Sequence, residues 1–266
     1  MRRRSHPTTG RLVIEQDTHA RVEVLGVQVS AVNLKQAVNI IAEWISRGVK
    51  HYVCVTTVHG VMECQRDPRL MEIYNASGIS AADGMPLVWI LKSRGQANQT
   101  RVYGPELMLD ICRNSIERGY RHFIYGGAPG VADKLAQTLA ASLDGIKIVG
   151  THSPPFRELT ETEDREIVKK VNSAQPDIVW VGLGTPKQER WMADHIEHLN
   201  ASALIGVGAA FDFLSGKKAQ APRWMQRNGL EWAFRLITEP RRLWKRYLIY
   251  NPWFLYKLGA EAIRSR

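Results

Sequence analysis

The chain contains 266 residues, of which 44% are hydrophobic and 23% charged, and its formal net charge is +10 at pH 7. This composition provides for a sizeable hydrophobic core and excludes an intrinsically disordered chain. The three cysteines are odd in number and have no CxxC spacing, which argues against a disulfide framework and a zinc site, so we expect a reducing, cytoplasmic location.

The N-terminal residues do not look like a targeting segment. Residues 1–20 are polar and basic and are predicted to be disordered, and SHPTTG stands where a signal peptide would have its apolar region. No stretch approaches the roughly eighteen consecutive apolar residues that a bilayer-spanning helix needs. We therefore expect neither a signal peptide nor a transmembrane helix.

Strands and helices alternate along residues 21–215, which we interpret as the catalytic core. Residues 21–30 alternate like a half-buried strand or hairpin, and Asn33 with Gln36 begins a helix that runs to Ile45. Further strands are predicted at 51–57, 79–83, 122–127, 146–152, 177–184 and 203–212. Further helices are predicted at 58–76, 86–93, 105–118 and 160–173, and one more follows the glycine turn at 125–132. This order predicts an α/β fold with a mostly parallel sheet covered by helices on both faces.

Residues 216–266 differ in character from the rest of the chain. They contain twelve Lys or Arg and three acids, a net charge of +9, and four of the eight Trp. We predict short amphipathic helices that form an appendage to the core. Interleaved basic and aromatic residues are typical of helices on an anionic membrane and also of single-stranded nucleic-acid binding, but no RNP, helix-turn-helix or zinc-finger signature supports the second use.

Two predicted strand ends carry candidate ligand-binding residues. At 125–132, YGGAPGVA lies between a strand and a helix, where glycines let backbone N–H groups approach a phosphate, although a plain tight turn explains the stretch equally well. Its glycines are Gly126, Gly127 and Gly130. At 182–191, GLGTPKQERW places Gln188 and other polar residues beyond a buried strand, where open α/β sheets bind ligands; helix caps and solvent-facing side chains are the alternative.

Asp83 ends the predicted strand 79–83 and precedes a helix. An Asp in this place commonly caps the helix, and locally that interpretation is favoured. The alternative is a general base at the mouth of the sheet. Arg101 follows eighteen positions later and is suited to pair with a phosphate or with Asp83, or to form a surface salt bridge.

Several catalytic signatures are absent from the sequence. There is no DxD pair, Walker A motif, HExxH or GxSxG. If a nucleotide diphosphate is the leaving group, cationic side chains must neutralise it in place of Mg²⁺. The appendage residues Arg235, Arg241, Arg242, Lys245 and Arg246 recur at spacings of three to seven on the predicted amphipathic helices, for which a solvated charged helix face is the alternative.

Seven blocks of the sequence, in this order, resemble the WecG/TagA/CpsF family of bacterial glycosyltransferases. They are ADGMPLVW, RVYGPELM, YGGAPGVA, IVGTH, VGLGTPKQERW, GVGAAFDFLSGKKAQAP and GLEWAFRLITEPRR. The resemblance covers roughly residues 22–250, and the PKQE and LEWxxRLxxEPxR blocks are specific. It implies a Rossmann-like αβα sandwich whose C-terminal appendage docks on the membrane and completes the active site.

The resemblance also implies a reaction and its substrates. Family members transfer a sugar from a UDP-sugar to a polyprenyl-diphosphate-linked saccharide at the cytoplasmic membrane face, inverting the anomeric centre and requiring neither metal nor another cofactor. N-acetylmannosamine, its uronic acid and glucose are the candidate sugars, and the product serves cell-surface polysaccharide synthesis. An anionic membrane surface is therefore an expected partner, nucleic acid is not, and the sequence leaves homo-oligomer formation open.

The family's functional residues can be assigned to positions of this chain. The proposed base falls on Asp83, and the substrate contacts fall on Arg101, Gln188, Arg235 and Arg242. Where many members have T-x-N, this chain has VTTVHG, so Thr56 or Thr57 takes that role and His59 shares it. Together with the glycine turn at Gly126 and Gly127 for the nucleotide, these are the predicted site residues, with no metal ligands.

These residues form one mechanistic hypothesis. Asp83 accepts the proton of the acceptor hydroxyl as its oxygen attacks C1 of the donor, while Arg235, Arg242 and Arg101 stabilise the departing diphosphate. Trp244 and Trp253 bring the appendage to the membrane. The alternatives are a basic nucleic-acid-binding protein and a nucleotide-sugar hydrolase or epimerase built on the same core.

Overall fold

The computed structural model describes residues 19–264 of the chain. Residues 1–20 are predicted to be disordered, and all of them except residues 19 and 20 lie outside the described range. The boundary between core and appendage near residue 216 stays a prediction.

An eight-stranded sheet forms the centre of the molecule. Its strands are β1 Arg21–Val24, β2 Val27–Ser30, β3 His51–Thr56, β4 Ile79–Ala82, β5 Arg121–Gly126, β6 Lys147–His152, β7 Ile178–Gly182 and β8 Ala203–Gly206. The order across the sheet is β1-β2-β4-β3-β8-β7-β5-β6. β1 and β2 form an antiparallel hairpin, and all other neighbouring strands are parallel. The predicted α/β fold with a mostly parallel sheet is confirmed.

Helices cover both faces of this sheet. On one face lie α1 Leu34–Arg47, α5 Gly104–Arg118, α6 Val131–Ser142 and α9 Ala210–Leu214. On the other lie α2 Val58–Cys64, α3 Pro68–Ala76, α4 Met85–Ser93, α7 Glu161–Ala174 and α8 Lys187–His195. Successive side chains of a strand point to opposite faces, so Phe123 joins one buried cluster and Ile124 the other. The result is the expected αβα sandwich.

Local sequence signals determine several element boundaries. The Asn33 side chain accepts a hydrogen bond from the Gln36 N–H, and the Gln36 side chain accepts one from the Asn33 N–H, both at 2.9 Å, which is the predicted capping box. The single helix predicted over 58–76 is wrong, because α2 ends at Cys64 and Asp67 caps a new helix that begins with Pro68.

The strand predicted over 203–212 is also shorter than expected. β8 ends at Gly206, and α9 begins at Ala210. Between them, Gly208 adopts a φ of +51°, a left-handed conformation that ends an extended strand and that glycine adopts without steric cost. The apolar run therefore divides into a strand, a turn and a short helix, and the turn lies at the carboxyl end of the sheet.

At the carboxyl ends of the central strands, neighbouring strands lead to helices on opposite faces of the sheet. β5 leads into α6 on one face, whereas its neighbour β7 leads into α8 on the other. In the same way β8 leads into α9 and its neighbour β3 into α2 on opposite faces. Ligands of open α/β sheets bind where adjacent strands send the chain to opposite faces. The fold thus places candidate binding sites at the ends of β3, β8, β7 and β5.

Four helices and one π-helical turn follow α9 in the chain. They are α10 Arg223–Arg227, α11 Glu231–Thr238, α12 Pro240–Trp244, the π-helical turn Lys245–Ile249 and α13 Tyr250–Arg264. Phe254 of α13 is 1% exposed and belongs to the core cluster on the α2 face, and the Tyr250 hydroxyl donates to Glu63 at 2.7 Å. The predicted helical character of this region is confirmed, and α13 is anchored to the core. No helix in residues 19–264 is long and apolar enough to cross a membrane.

Candidate active site

Asp83 lies directly after β4, at the carboxyl end of the sheet. Its backbone N–H donates to the Thr56 carbonyl oxygen at 2.9 Å, which fixes Asp83 beside the end of β3. The N-cap of α4 is Gly84, and no side chain caps that helix. The helix-cap interpretation of Asp83 is therefore wrong, and its carboxylate is available for other contacts.

Arg101 holds one oxygen of the Asp83 carboxylate. Its Nε and Nη2 lie 2.9 and 2.8 Å from Oδ1, and Nε also donates to the Asp83 carbonyl oxygen. Within residues 19–264, Oδ2 has no hydrogen-bond partner. Of the interpretations that the sequence left open for Arg101, the pairing with Asp83 is the one observed.

Arg101 has two further neighbours. Its guanidinium carbon lies 4.0 Å from the centre of the Tyr103 ring, and Nη2 lies 2.7 Å from Oε2 of Glu231 on α11. Burial alone would lower the pKa of Arg101, but the Asp83 and Glu231 carboxylates outweigh it and hold the pKa above its usual value. Arg101 is therefore a fixed cation that joins the core to the C-terminal helices.

Thr56 and Thr57 have different surroundings. The Thr56 side chain is buried, and its hydroxyl is hydrogen-bonded to Ser80 at 2.7 Å and donates to the Cys54 carbonyl oxygen at 3.1 Å. Thr57 caps α2, and its hydroxyl oxygen accepts from Arg246 at 3.2 Å. Only Thr57 lines the pockets around Asp83, so the geometry favours Thr57 for the substrate contact that the sequence left open between the two.

Two adjoining pockets meet at Asp83. The first, called here the α4 pocket, lies between α4 and the C-terminal helices and is lined by Met85, Pro86, Arg101, Trp232, Tyr247 and others. The second, the strand-end pocket, is lined by Tyr103, Gln188, Gly206, Gly208, Arg242 and others. Thr57, Asp83, Arg235 and Arg246 line both. Asp83 therefore lies between the two pockets, where a ligand in either pocket can contact it.

A third depression extends the strand-end pocket towards β5. This β5 groove shares Gly184, Gly208, Ala209 and Arg242 with the strand-end pocket, and its lining also includes Gly127, Phe156 and Trp191. Gly126 has a φ of +123°, and a Cβ there would lie 2.7 Å from the carbonyl carbon of Gly182. Gly126 is therefore required by the close approach of β5 and β7, whereas Gly127 faces the groove. A continuous channel runs along the strand ends from β4 to β5.

Arginines of the C-terminal helices face the strand-end pocket. Arg235 packs over the Phe213 ring at 5.5 Å, and its Nε is buried with no hydrogen-bond partner among residues 19–264. Arg242 pairs with Glu239 at 2.7 Å and is half exposed. A buried donor without a partner carries a free-energy cost, and an anion in the pocket would remove it.

Arg246 is a site residue that the sequence-based site prediction omits. It lines both pockets, and its pKa is lowered by burial in the first place and by the neighbouring Arg235 and Arg242 charges, which Tyr247 and Asp83 partly oppose. The four-residue spacing of Arg242 and Arg246 is the signal that could have identified it, whereas Arg235 belongs to the separate helix α11 and reaches the same pocket through packing.

Gln188 and Glu189 lie beneath the strand-end pocket. Gln188 Oε1 accepts from the Gly184 N–H at 3.2 Å, and its Nε2 donates to Glu189 Oε1 at 3.1 Å. The same oxygen accepts from the Tyr74 and Thr185 hydroxyls at 3.1 and 2.9 Å. Burial raises the pKa of Glu189, although these hydrogen bonds oppose the shift. Gln188 is thus at the pocket as predicted, and its amide orientation is fixed from below.

His59 lines the α4 pocket, as the sequence predicts for a residue near the site. Its ring stacks on Tyr250 of α13 at 5.3 Å between centroids. Burial and the nearby Arg246 charge lower the pKa of His59 to about 3, so the imidazole is neutral at physiological pH. In this state it does not add to the positive charge of the site.

No group of three or more His, Cys, Asp or Glu side chains in residues 19–264 is arranged to hold a metal ion. The prediction that the reaction needs no metal stays a prediction. The cationic groups around the strand-end pocket are Arg235, Arg242 and Arg246.

Comparison with known proteins identifies the family. The sequence model of the glycosyl transferase WecG/TagA/CpsF family matches residues 22–266. The chain belongs to the WecG/TagA/CpsF family of glycosyltransferases. The family inferred from the seven sequence blocks is therefore confirmed.

Several curated proteins resemble this WecG/TagA/CpsF chain over most of its length. The chain is 30% identical over 197 residues to a protein of Bacillus subtilis (strain 168), covering 74% of each chain, and 29% identical over 204 residues to one of Bacillus spizizenii, covering 77% of each. It is 25% identical over 255 residues to a protein of Staphylococcus aureus (strain NCTC 8325), covering 95% of this chain and 97% of that one. All three are named N-acetylglucosaminyldiphosphoundecaprenol N-acetyl-beta-D-mannosaminyltransferase.

Proposed function

We propose that the protein transfers a sugar of the N-acetylmannosamine type from a UDP-sugar to a polyprenyl-diphosphate-linked saccharide, with inversion at the anomeric carbon and without a metal. The observation that carries this proposal is the position of Asp83 on the wall shared by two pockets, with Arg235 and Arg246 on the same wall. An inverting single displacement suits this arrangement, because the base must contact the acceptor hydroxyl while the leaving diphosphate lies on the opposite face of the anomeric carbon.

The chemistry assigns Asp83 as the general base. Its Oδ1 is held by Arg101, and Oδ2 makes no hydrogen bond within the described chain, so Oδ2 is the oxygen that would accept the proton of the acceptor hydroxyl. As the proton leaves, the acceptor oxygen bonds to C1 of the donor sugar and the bond from C1 to the UDP oxygen breaks. The UDP departs as an anion on the opposite face of the sugar.

The arginines of the C-terminal helices would stabilise that anion. Arg235 and Arg246 line both pockets, Arg242 lines the strand-end pocket, and the unpaired Nε of Arg235 is a ready donor. Removing one well-placed donor of this kind typically lowers the rate by about a hundredfold or more. In this proposal the arginines do the work that Mg²⁺ does in enzymes with a DxD motif.

The channel suggests how the two substrates divide the site. The strand-end pocket and the β5 groove, which carry the glycine turns and Gln188, would hold the UDP-sugar. The α4 pocket, with Met85, Pro86, Trp232 and Tyr247, would receive the acceptor. Its apolar lining suits the region where the sugar diphosphate joins a polyprenyl chain.

The names of the relatives support the choice of transferred sugar and acceptor. Those names describe transfer of N-acetylmannosamine to N-acetylglucosamine carried on diphosphoundecaprenol. We propose the same pair here, as a step in cell-surface polysaccharide synthesis, with N-acetylmannosaminuronic acid and glucose as the competing donor sugars.

We further propose that the protein works at the inner face of the cytoplasmic membrane, without crossing it. Within residues 19–264, ten of the twelve large hydrophobic side chains that are exposed lie in the C-terminal region, between residues 224 and 263. They lie in the region that has a net charge of +9, and apolar side chains among cationic ones are suited to an anionic lipid surface. The lipid-linked acceptor would be confined to the same surface.

A screen of UDP-sugars against a short polyprenyl-diphosphate N-acetylglucosamine acceptor tests the proposal. We expect a product whose mass is that of the acceptor plus one N-acetylhexosamine, formed from UDP-N-acetylmannosamine, retained in EDTA and carrying the inverted anomer by NMR. Conversion of UDP-sugar in the absence of acceptor would favour a hydrolase or epimerase instead. Salt-dependent binding of single-stranded nucleic acid without UDP binding would favour the nucleic-acid alternative.

A further inference from the structure

One contact joins the base to the C-terminal helices. Nη2 of Arg101 lies 2.8 Å from Asp83 Oδ1 and 2.7 Å from Glu231 Oε2, so a single guanidinium nitrogen forms ion pairs with two carboxylates, although Glu231 Oε2 has no partner with hydrogen-bond geometry among residues 19–264. The three side chains are only 17%, 16% and 12% exposed, respectively. Asp83 and Arg101 belong to the core, whereas Glu231 is the first residue of α11. The arrangement is complete only when α11 lies against the core.

Glu231 differs from an ordinary acid at the start of a helix. Such an acid interacts favourably with the helix dipole from an exposed position, but the Glu231 side chain is largely buried and turned onto Arg101. Nor is Glu231 required to attach the C-terminal helices, because Leu243 and Phe254 are buried in the core and Tyr250 bonds to Glu63.

The charges around Arg101 explain why a second carboxylate is useful. Arg235 and Arg246 also line the α4 pocket, the Tyr103 phenol lies beneath the guanidinium, and the nearby His59 is neutral. Removing one carboxylate from such a partly buried cluster would leave positive charge less well compensated, at a cost in free energy. With Glu231 present, the guanidinium is held from two sides.

We propose that Glu231 is a positioning residue for the sugar transfer, which fixes Arg101 so that Arg101 holds Oδ1 of Asp83 and leaves Oδ2 directed at the acceptor. The inference rests on the proposed function of Asp83. It means that the C-terminal helices contribute a carboxylate to the site as well as arginines. Docking of those helices then completes the base as well as the diphosphate site.

Kinetics of Glu231→Ala test this role. We expect kcat to fall about tenfold or more while the KM values for donor and acceptor change less than about threefold, because the substrate contacts of Arg235 and Arg242 remain. Glu231→Gln should lower kcat nearly as far as Glu231→Ala does, because the contact with Arg101 is an ion pair without hydrogen-bond geometry and the amide carries no charge. In the background of Arg101→Met, Glu231→Ala should have no further effect, because the two residues act as a unit.

Glu261→Ala is the matched control. Glu261 also belongs to the C-terminal helices and pairs with a core arginine, Arg94, at 3.4 Å, but it lines none of the pockets described above. We expect its kcat to equal that of the unmodified chain. Trypsin cleavage within residues 216–264 should be equally slow in Glu231→Ala and Glu261→Ala, because the helices stay docked in both.

A measurement without substrate separates this inference from the proposed function. In the free protein, the Nε–H of Arg101 is bonded to Asp83, and its exchange with water by NMR should become about tenfold or more faster in Glu231→Ala. This result would support the positioning role even if UDP-sugars were not substrates. Unchanged exchange, a kcat within twofold of the unmodified chain, or loss of kcat that parallels faster trypsin cleavage would each overturn the proposal.

Discussion

Thr56 and Thr57 are adjacent in the sequence, but their hydroxyl groups have opposite surroundings. Thr56 is hydrogen-bonded within the sheet to Ser80 and Cys54, and Thr57 meets Arg246 at the pocket wall. A sequence that departs from the T-x-N pattern of its family cannot distinguish the two, because burial depends on which strand lies beside β3.

Substitution of each threonine by valine separates the two roles. Thr57→Val should lower kcat/KM for transfer about tenfold or more, because Arg246 loses its partner at the pocket wall. Thr56→Val should leave kcat/KM nearly unchanged but lower the free energy of unfolding by about 1–3 kcal/mol, because the Ser80 hydroxyl loses its buried partner. Steady-state kinetics and urea unfolding measure both effects. Loss of activity in Thr56→Val alone would contradict this assignment and would assign the substrate contact to Thr56.

The assignment of Asp83 shows what the sequence alone can and cannot predict about a single residue. Local sequence favours a helix cap for Asp83, and only the family resemblance supports a base. The cap is excluded by the structure because Gly84 takes that position. Arg246 and Glu231 were omitted from the sequence-based site, because their role depends on how helices far along the chain pack against the core.

At the level of secondary structure, the predictions succeeded where a local signal was strong. The capping box at Asn33 and the alternation in 21–30 gave α1 and the β1–β2 hairpin. They failed where an apolar pattern continued across a break, as at Asp67 before α3 and at Gly208 before α9. Hydrophobic periodicity carries no information about a change of chain direction, so the local indication of one is a capping residue, a proline or a glycine.

The C-terminal helices lead to a prediction about membrane binding. Ile237, Leu248 and Leu255 are 57–78% exposed and line none of the pockets described above. Replacing all three by serine should weaken binding to phosphatidylglycerol liposomes about tenfold or more, because apolar area is lost from the lipid-facing surface. Cosedimentation measures this binding.

The acceptor provides the control for that experiment. Transfer to a water-soluble short-chain acceptor should remain unchanged in the triple variant, because it requires no lipid surface. The melting temperature should also be close to that of the unmodified chain, since exposed positions contribute little to stability. Equal liposome binding by the variant and the unmodified chain would contradict the proposed membrane surface.

For the whole molecule, the sequence predicted the class of fold but not the assembly of the site. Alternating strands and helices require a mostly parallel sheet, and this was observed. The strand order was not predictable, because it depends on crossovers such as the one from β4 to β5. The channel exists only because α11, α12 and the π-helical turn bring three arginines and Glu231 over the strand ends.

The most direct test of the proposed mechanism is Asp83→Asn, compared with Asp67→Asn as a control. Asp67 caps α3 and pairs with Arg190, and asparagine caps a helix as well as aspartate does, so turnover of Asp67→Asn should be nearly normal. Asp83→Asn should lose about a hundredfold to ten-thousandfold in kcat for transfer, because asparagine cannot accept the proton. Its affinity for UDP-sugar, measured by calorimetry, should stay within about threefold. Unchanged turnover by Asp83→Asn would contradict the assignment of the base and the mechanism built on it.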